Sequence, residues 1–426
     1  MTVPIRKGLR REMQAVIDFR RLGQDFAAFV ADPTNETSVA YAERMGLKVS
    51  HTREIRGKRY HIVRYDKTKY GAKEDSSAPE MTMTDEIAML RSVIISEGKI
   101  RCVSLPKTTR AMEDAPNNVD LYPIKSVLLE GPMINLFYYR DDDVKGDDTE
   151  GQGWQISTRS VFGARNSFYD DDDGSKLTFR NMFLEAMPDN LTENLMTAGT
   201  DVVYSYVIRH PKNRDVYGDN KPHLVKVASF KPRDDTNMVW EYSAPDVDGP
   251  PHNQSPCMGL TSAWADESGN LVRAKKLSED YLTLRKLRGT QPKLKYHFLT
   301  LRKQRGAVSQ YLAQFPEHGS AFSAFRDEIH HFTHQLQANY WDCYVKHTKP
   351  LKEYDGNFKT HMYNLHSAFK EDRKPVLIST VIRYVNGLEP AQLMFALNWK
   401  NRTKKENRRD TPTGTPTESQ TSNMEQ

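Results

Sequence analysis

Apolar positions along this chain change their spacing twice. From residue 1 to about 50, Met13, Val16 and Ile17, then Phe26 and Phe29, recur at helical intervals between charged residues, which predicts a helical N-terminal segment. From "KRYHIVRYD" (58–66) the period shortens to that of strands. "RSVIIS" (91–96) and "KIRCVSL" (99–105) flank Glu97-Gly98 as a hairpin flanks its turn. "PMINLFYY" (132–139) and "GWQISTRSVF" (153–162) predict two further strands joined by an acidic loop, and "LTFRNMFLEAM" (177–187) a helix. "DVVYSYVI" (201–208) and "HLVKVASF" (223–230) are again β-rich, whereas 232–257 is crowded with Pro, Asp, Gly and Asn and predicts a loop. After about 278 the helical period returns and persists to 399. No internal repeat is present. The pattern predicts an α+β chain: a helical segment 1–57, an antiparallel-sheet body 58–285, a helical C-terminal domain 286–400 and a disordered basic, polar tail 401–426.

Composition narrows the class. A mean hydropathy of −0.72 with no long apolar run excludes a membrane span. The start, "MTVPIRKGLRREMQ", is basic but lacks the apolar stretch of a secretory signal. Cys102, Cys257 and Cys343 are too scattered for a disulfide framework or a zinc spacing, which points to a reducing compartment. The expected setting is therefore intracellular and cytoplasmic. The net charge of +5, from 61 basic and 56 acidic residues, is mild, but the charges are segregated. Acidic runs lie at Asp141–Asp143 and Asp170–Asp173, where consecutive aspartates in a polar loop are the mark of a solvated turn. His330, His331 and His334 share a helix face but have no third ligand placed by sequence, so no metal site is expected. Residues 273–305 interleave Tyr281, Tyr296 and Phe298 with Arg285, Arg288, Lys293 and Lys295, a composition that can pair phosphates and stack bases or simply coat an amphipathic helix. The tail cluster Lys400–Arg409 is either a nuclear address or a solubilising end.

Seven short elements fall in a particular order. Arg91-Ser92 opens a strand and Pro106-Lys107 follows it. Then come Leu128-Leu129-Glu130-Gly131, Thr158-Arg159-Ser160, Tyr204-Ser205-Tyr206 with Asn213-Arg214, Met258-Gly259-Leu260, and Arg273-Ala274-Lys275 with Lys276. Over roughly 60–285 this series resembles the covalent nucleotidyltransferase superfamily of RNA ligases, DNA ligases and mRNA capping enzymes. The likeness is greatest to RNA ligases of the bacteriophage type and to divergent RNA-ligase-like proteins of large DNA viruses, which implies a viral factory as an alternative setting to the cytoplasm.

The resemblance implies a nucleotidyltransferase body in which a lysine amine attacks the α-phosphate of ATP, carboxylates hold ribose and Mg2+, and closing lysines neutralise phosphate charge. It places Arg91, Lys107, Gly131, Arg159, Arg273, Lys275 and Lys276 against the nucleotide, with Glu130 as the retained motif acid. Arg285, Arg288, Lys293 and Lys295 become the nucleic-acid contacts, and RNA or single-stranded nucleic acid the partner. Three motif positions depart from the pattern: Leu128 stands in the nucleophile slot, Ser205 in the middle acid slot and Met258 in the late acid slot. A leucine has no lone pair to attack phosphorus, and a thioether is a poor ligand for magnesium. The resemblance thus implies a ligase-like protein that binds RNA or nucleotide and has lost its chemistry. One alternative is an active ATP- and Mg2+-dependent RNA ligase or capping-type transferase that uses a displaced lysine, Lys125 or Lys107. Another is a structural or assembly protein on the same fold. Glu130-Gly131 itself is either a retained ribose contact or a strand start in which glycine relieves crowding.

Overall fold

Two consecutive left-handed residues, Glu97 (φ 52°) and Gly98 (φ 68°), close the hairpin predicted there. Positive φ at both central positions is what a tight two-residue β-turn requires, and glycine takes it without strain. The turn joins β4 (Val93–Ser96) to β5 (Lys99–Val103), and with β2 (Leu47–Ile55) and β3 (Lys58–Tyr65) these form a four-stranded antiparallel sheet. The computed structural model describes residues 15–55, 57–71, 80–116, 124–139, 153–167, 177–213, 216–218, 221–244, 257–289, 291 and 293–399. The acidic runs at Asp141–Asp143 and Asp170–Asp173, Arg214, and the tail with Lys400–Arg409 lie outside them.

The chain divides into two units, Met1–Arg288 and Gly289–Gln426. In the first, a six-stranded sheet runs in the order β1 (Ala15–Asp18), β12 (Val239–Ser243), β11 (His223–Pro232), β10 (Val203–Arg209), β8 (Met133–Tyr139) and β9 (Gly153–Ser157). A third sheet joins β6 (Arg110–Ala111), β14 (Leu271–Leu277), β13 (Gly259–Ala265) and β7 (Ile124–Leu128). Every residue of β10 is buried, so the six-stranded sheet is covered on both sides. One face carries Phe137, Tyr139, Val203, Phe230 and Trp240 into a core shared with Val63, Ile95, Val103, Ala263 and Leu271 of the other two sheets. Helices α1 (Gln24–Ala31) and α2 (Glu36–Arg44) add Phe26, Phe29 and Tyr41 to this core. The opposite face, with Ile134, Leu136, Tyr204, Tyr206 and Ile208, is covered by Phe179, Met182 and Phe183 of the helix predicted over 177–187 and by Leu191 and Leu195 of the next.

Two expectations for this unit fail for one reason. Ala15–Asp18 is a strand, not part of a helix, and the predicted loop 232–257 contains a strand, Val239–Ser243; each is the other's partner, with Ile17 opposite Trp240 and Ala15 opposite Tyr242. Four- and five-residue strands are too short to show a period, and partners more than 200 positions apart leave no local trace. Residues 47–55, assigned to the helical segment, are likewise a strand whose largely polar sequence shows little alternation. The described residues 15–55 are therefore part of the sheet-bearing unit.

The second unit is helical, as expected: α-helices Leu294–Leu301, Ala307–Gln314, Gly319–Tyr340, Gly356–Asp372, Ile378–Gly387 and Pro390–Leu397. Its centre includes an aromatic stack in which Tyr311 lies 4.8 Å from Phe315 and 5.2 Å from Phe322, ring centre to ring centre. No described helix is long and apolar enough to cross a membrane.

Two glycines permit the close strand packing on which the site depends. A Cβ on Gly131 (φ 138°) would lie 2.2 Å from the Ile208 carbonyl oxygen, and one on Gly259 (φ 149°) 2.0 Å from that of Lys276. Neither neighbour can yield, because each is backbone. Gly259→Ala and Gly131→Ala are each expected to lower the unfolding free energy by on the order of 3 kcal/mol, measured by denaturant titration. An unchanged midpoint would show that these strands separate without penalty.

Candidate anion-binding site

The third sheet sorts the motif residues by parity. Directly paired residues share a face, and neighbours along a strand point oppositely. Leu128 pairs with Gly259, Ser126 with Thr261, and Thr261 with Lys275, so Ser126, Leu128, Thr261, Arg273 and Lys275 occupy one face. Met258 donates its N–H to the Leu128 carbonyl at 2.9 Å, which brings the nucleophile slot and the late acid slot side by side. Lys125 pairs with Ser262 and Lys276 with Leu260, and both therefore sit on the other face. There Lys276 forms an ion pair with Glu113 at 2.8 Å, far from any role beside Lys275. Lys125 is exposed on that same outer side.

On the inner side, basic residues gather around the Tyr65 ring. The Arg159 guanidinium lies 4.4 Å from the ring centre and the Lys107 ammonium 5.6 Å. Arg159 is fixed by donating to the carbonyls of Arg91 (3.1 Å) and Tyr65 (3.3 Å). Arg273 is buried and donates to the Pro106 carbonyl, which ties strand β14 to the peptide preceding Lys107. Burial, followed by the fields of Lys275, Arg159 and Arg91, holds the Lys107 ammonium below its ordinary pKa. Burial, then Arg91, Arg273 and Arg285, does the same to Lys275. Arg159 is lowered to about 10, chiefly by burial, and stays charged at neutral pH. Lys67, at the start of the short helix α3 (Lys67–Tyr70), also belongs here: its pKa is lowered by burial and then by Arg159, Arg64, Arg91 and Lys107. Sequence reasoning missed Lys67 and Tyr65. Their only local signal was Asp66, whose carboxylate accepts from the Thr68 N–H at 3.0 Å and caps that helix.

No protein-family model matches the chain, and no curated protein does. Among solved structures, one described as an archaeal ATP-dependent RNA ligase, form 1, aligns with 71% of this chain and 74% of its own, at 11% identity and a TM-score of 0.34. A likeness that faint decides nothing about this site.

Glu130 is buried, and both oxygens of its carboxylate accept backbone N–H groups: Val216 at 3.0 Å and Tyr217 at 2.6 Å. Its own carbonyl accepts from Arg209 at 2.8 Å. The Glu-Gly pair therefore anchors chain segments and supports close packing. Ser205, in the middle acid slot, donates to Asn135 Oδ1 at 2.9 Å across the six-stranded sheet. The described residues contain no group of three or more His, Cys, Asp or Glu able to hold a metal, and His330, His331 and His334 stand exposed on one helix.

The basic strip divides between the two units. Helix α7 (Glu279–Arg288) stops where Gly289 turns left-handed (φ 71°), so Arg285 and Arg288 belong to the first unit and Lys293 and Lys295 to the second. Arg285 donates to the Tyr281 hydroxyl at 2.7 Å, and Arg288 is buried. Lys295 pairs with Glu328 and donates to Asn398 at 3.1 Å, while Lys293 stands exposed.

Two outcomes follow from these contacts. Because the folded pKa of Lys107 lies below the ordinary 10.5, keeping it charged opposes folding at neutral pH, and this penalty fades as pH rises towards 10.5. Lys107→Met is therefore expected to raise Tm by about 2 °C at pH 7 and low salt. The gain should shrink towards pH 10.5, and a lower Tm at pH 7 would contradict the crowding. Glu130→Ala, which strips two buried N–H groups of their acceptor, should lose about 2–3 kcal/mol of stability while anion binding persists; intact stability would return Glu130 to the list of ligand contacts.

Proposed function

We propose that this chain is an RNA-ligase-like protein of the nucleotidyltransferase type that binds RNA or nucleotide through the basic cluster beside Tyr65 and does not form a lysine–nucleotide adduct. One observation carries this: Lys107 and Arg159, far apart in sequence, share the Tyr65 ring, Arg159 is held by the Arg91 carbonyl, and Lys107 feels the charges of Lys275 and Arg91. Such a set suits the oxygens of phosphate groups, to which lysine offers a point charge and arginine a planar fork. The loss of chemistry rests on the nucleophile position, where Leu128 lies opposite Gly259, and on the two acid positions, filled by Ser205 and Met258. A second possibility, an active enzyme with a displaced nucleophile, has one favourable observation. Lys107 lies within the cluster and has a lowered pKa, as an attacking amine needs. Lys125 lacks this placement, since it is on the outer face.

Intact-mass analysis after incubation with ATP or GTP and magnesium is expected to find no added nucleotide. An adduct that disappears in Lys107→Ala would establish the second possibility instead. Single-stranded RNA should bind with an affinity that falls steeply with salt. Lys107→Ala and Lys275→Ala should each flatten the log–log salt slope by about 0.7, the value for one phosphate contact on a single strand. RNA and nucleotide binding that is absent at low salt would leave a structural or assembly role as the surviving assignment.

A further inference from the structure

A large apolar side chain standing alone in water is ordinary, but the second unit exposes three beside one helix–helix seam: Trp341 (41% exposed), Val345 (52%) and Tyr363 (60%). Across that seam Tyr344 lies face to face with His366, ring centres 3.9 Å apart and planes 9° apart. Trp341 and Val345 belong to the same turn as Tyr344, and Tyr363 precedes His366 by one helical turn. Burial raises the pKa of the Tyr344 hydroxyl, and Cys343 and then Tyr363 add to it, so Tyr363 is also a neighbour of the stack.

The backbone is shaped to hold these side chains outward. After the helix Gly319–Tyr340 the coil widens, and the Lys346 N–H reaches back five residues to the Trp341 carbonyl at 2.9 Å. Such π turns recur at functional sites. This one keeps Cys343 buried while Trp341 and Val345 face water. His347 then takes a left-handed φ of 54°, a conformation that costs any residue with a Cβ. The N–H and hydroxyl of Thr348 both donate to the Asp342 carbonyl at 2.9 Å and keep the turn closed.

Charge indicates what lies on the rings. On the helix Gly356–Asp372, Lys359, Tyr363, His366 and Lys370 fall at i, i+4, i+7 and i+11, a stripe in which two lysines bracket two rings. Burial, then Lys370, holds His366 below its ordinary pKa, so its ring is neutral at neutral pH. The segment 345–352 adds Lys346, Lys349 and Lys352 and contains no acid, although Asp342 holds Lys346 at 3.1 Å. Rings interleaved with lysines suit a partner that alternates flat bases with phosphates.

We propose that Trp341, Tyr344, His366 and Tyr363 form a stacking platform for the unpaired bases of a single-stranded nucleic acid, with Lys359 and Lys370 on its phosphates. This adds a base-contacting surface to the RNA-binding reading and rests on the same partner. It shares none of the residues around Tyr65, so either site can fail alone.

Anisotropy titrations of a labelled single-stranded oligoadenylate with the full chain, over a salt series, test the platform. Trp341→Ala with Tyr363→Ala should weaken binding on the order of tenfold at every salt concentration and leave the log–log slope unchanged, because stacking releases no counterion. Lys359→Ala and Lys370→Ala should each flatten that slope by about 0.7. Trp341→Phe with Tyr363→Phe should keep most of the affinity. Duplex RNA, whose bases are already stacked, should bind the parent and the double-alanine variant alike. Both replaced side chains are exposed, so the circular-dichroism spectrum should not change. Equal affinity of parent and double-alanine variant for oligoadenylate overturns the platform; if Lys107→Ala still flattens the slope, the RNA-binding reading stands without it. Binding to phosphatidylserine vesicles that the double-alanine variant loses, with RNA affinity unchanged, assigns the ridge to a membrane surface instead. Oligoadenylate that fails to bind at low salt removes both readings.

Discussion

The double pairing of β13 governs the basic cluster. On one side it sets Leu128 opposite Gly259, on the other it sets Lys275 opposite Thr261, and a slip of one residue would turn Leu128 in the first pairing, or Lys275 in the second, to the opposite face. The register is held by more than the ladder. Gly259 lies so close to the Lys276 carbonyl that no side chain fits, and Thr261 donates to the Ala274 carbonyl at 2.8 Å. Arg273, buried on the same face as Lys275, then reaches the Pro106 carbonyl and brings the Lys107 segment alongside. Backbone geometry thus decides where charge accumulates.

That charge opposes folding, and the molecule offsets it with bonds that leave the cations unneutralised. Arginines donate to main-chain carbonyls, and the ring of Tyr65 offers its electron-rich face to Arg159 and Lys107. Carbonyl and ring contacts orient a guanidinium while leaving its charge available to a ligand, which a carboxylate partner would not do. Ser205, an alcohol bonded to an amide, and the Met258 thioether add no negative charge.

Much of this was legible in the chain. The Glu97-Gly98 turn, the β8–β9 pair and the helix over 177–187 followed from local pattern, and motif order singled out Arg91, Lys107, Arg159 and Lys275, which the fold gathers. Parity was not legible. Lys125 and Lys276 are one step out of phase with Ser126 and Lys275, and only the sheet register reveals which of two neighbouring lysines faces inward. Tyr65, which ends a strand, and Lys67, which starts a short helix, were missed because neither marks a motif, and they become neighbours of Lys107 and Arg159 only through tertiary folding. The strip 273–305 looked continuous because composition does not record the break at Gly289.

The pairing of Ala15–Asp18 with Val239–Ser243 has a consequence for synthesis. The six-stranded sheet cannot close its first edge until the ribosome has released residues more than 200 positions downstream, so the unit folds late and with a high contact order. In the interval Ala15 and Ile17 lack their partner strand, and afterwards Ala15–Asp18 is the described strand that shields the β12 edge from pairing with another chain. A protease cut or a bulky fusion placed just ahead of Ala15 therefore acts on the solubility of the whole sheet-bearing unit.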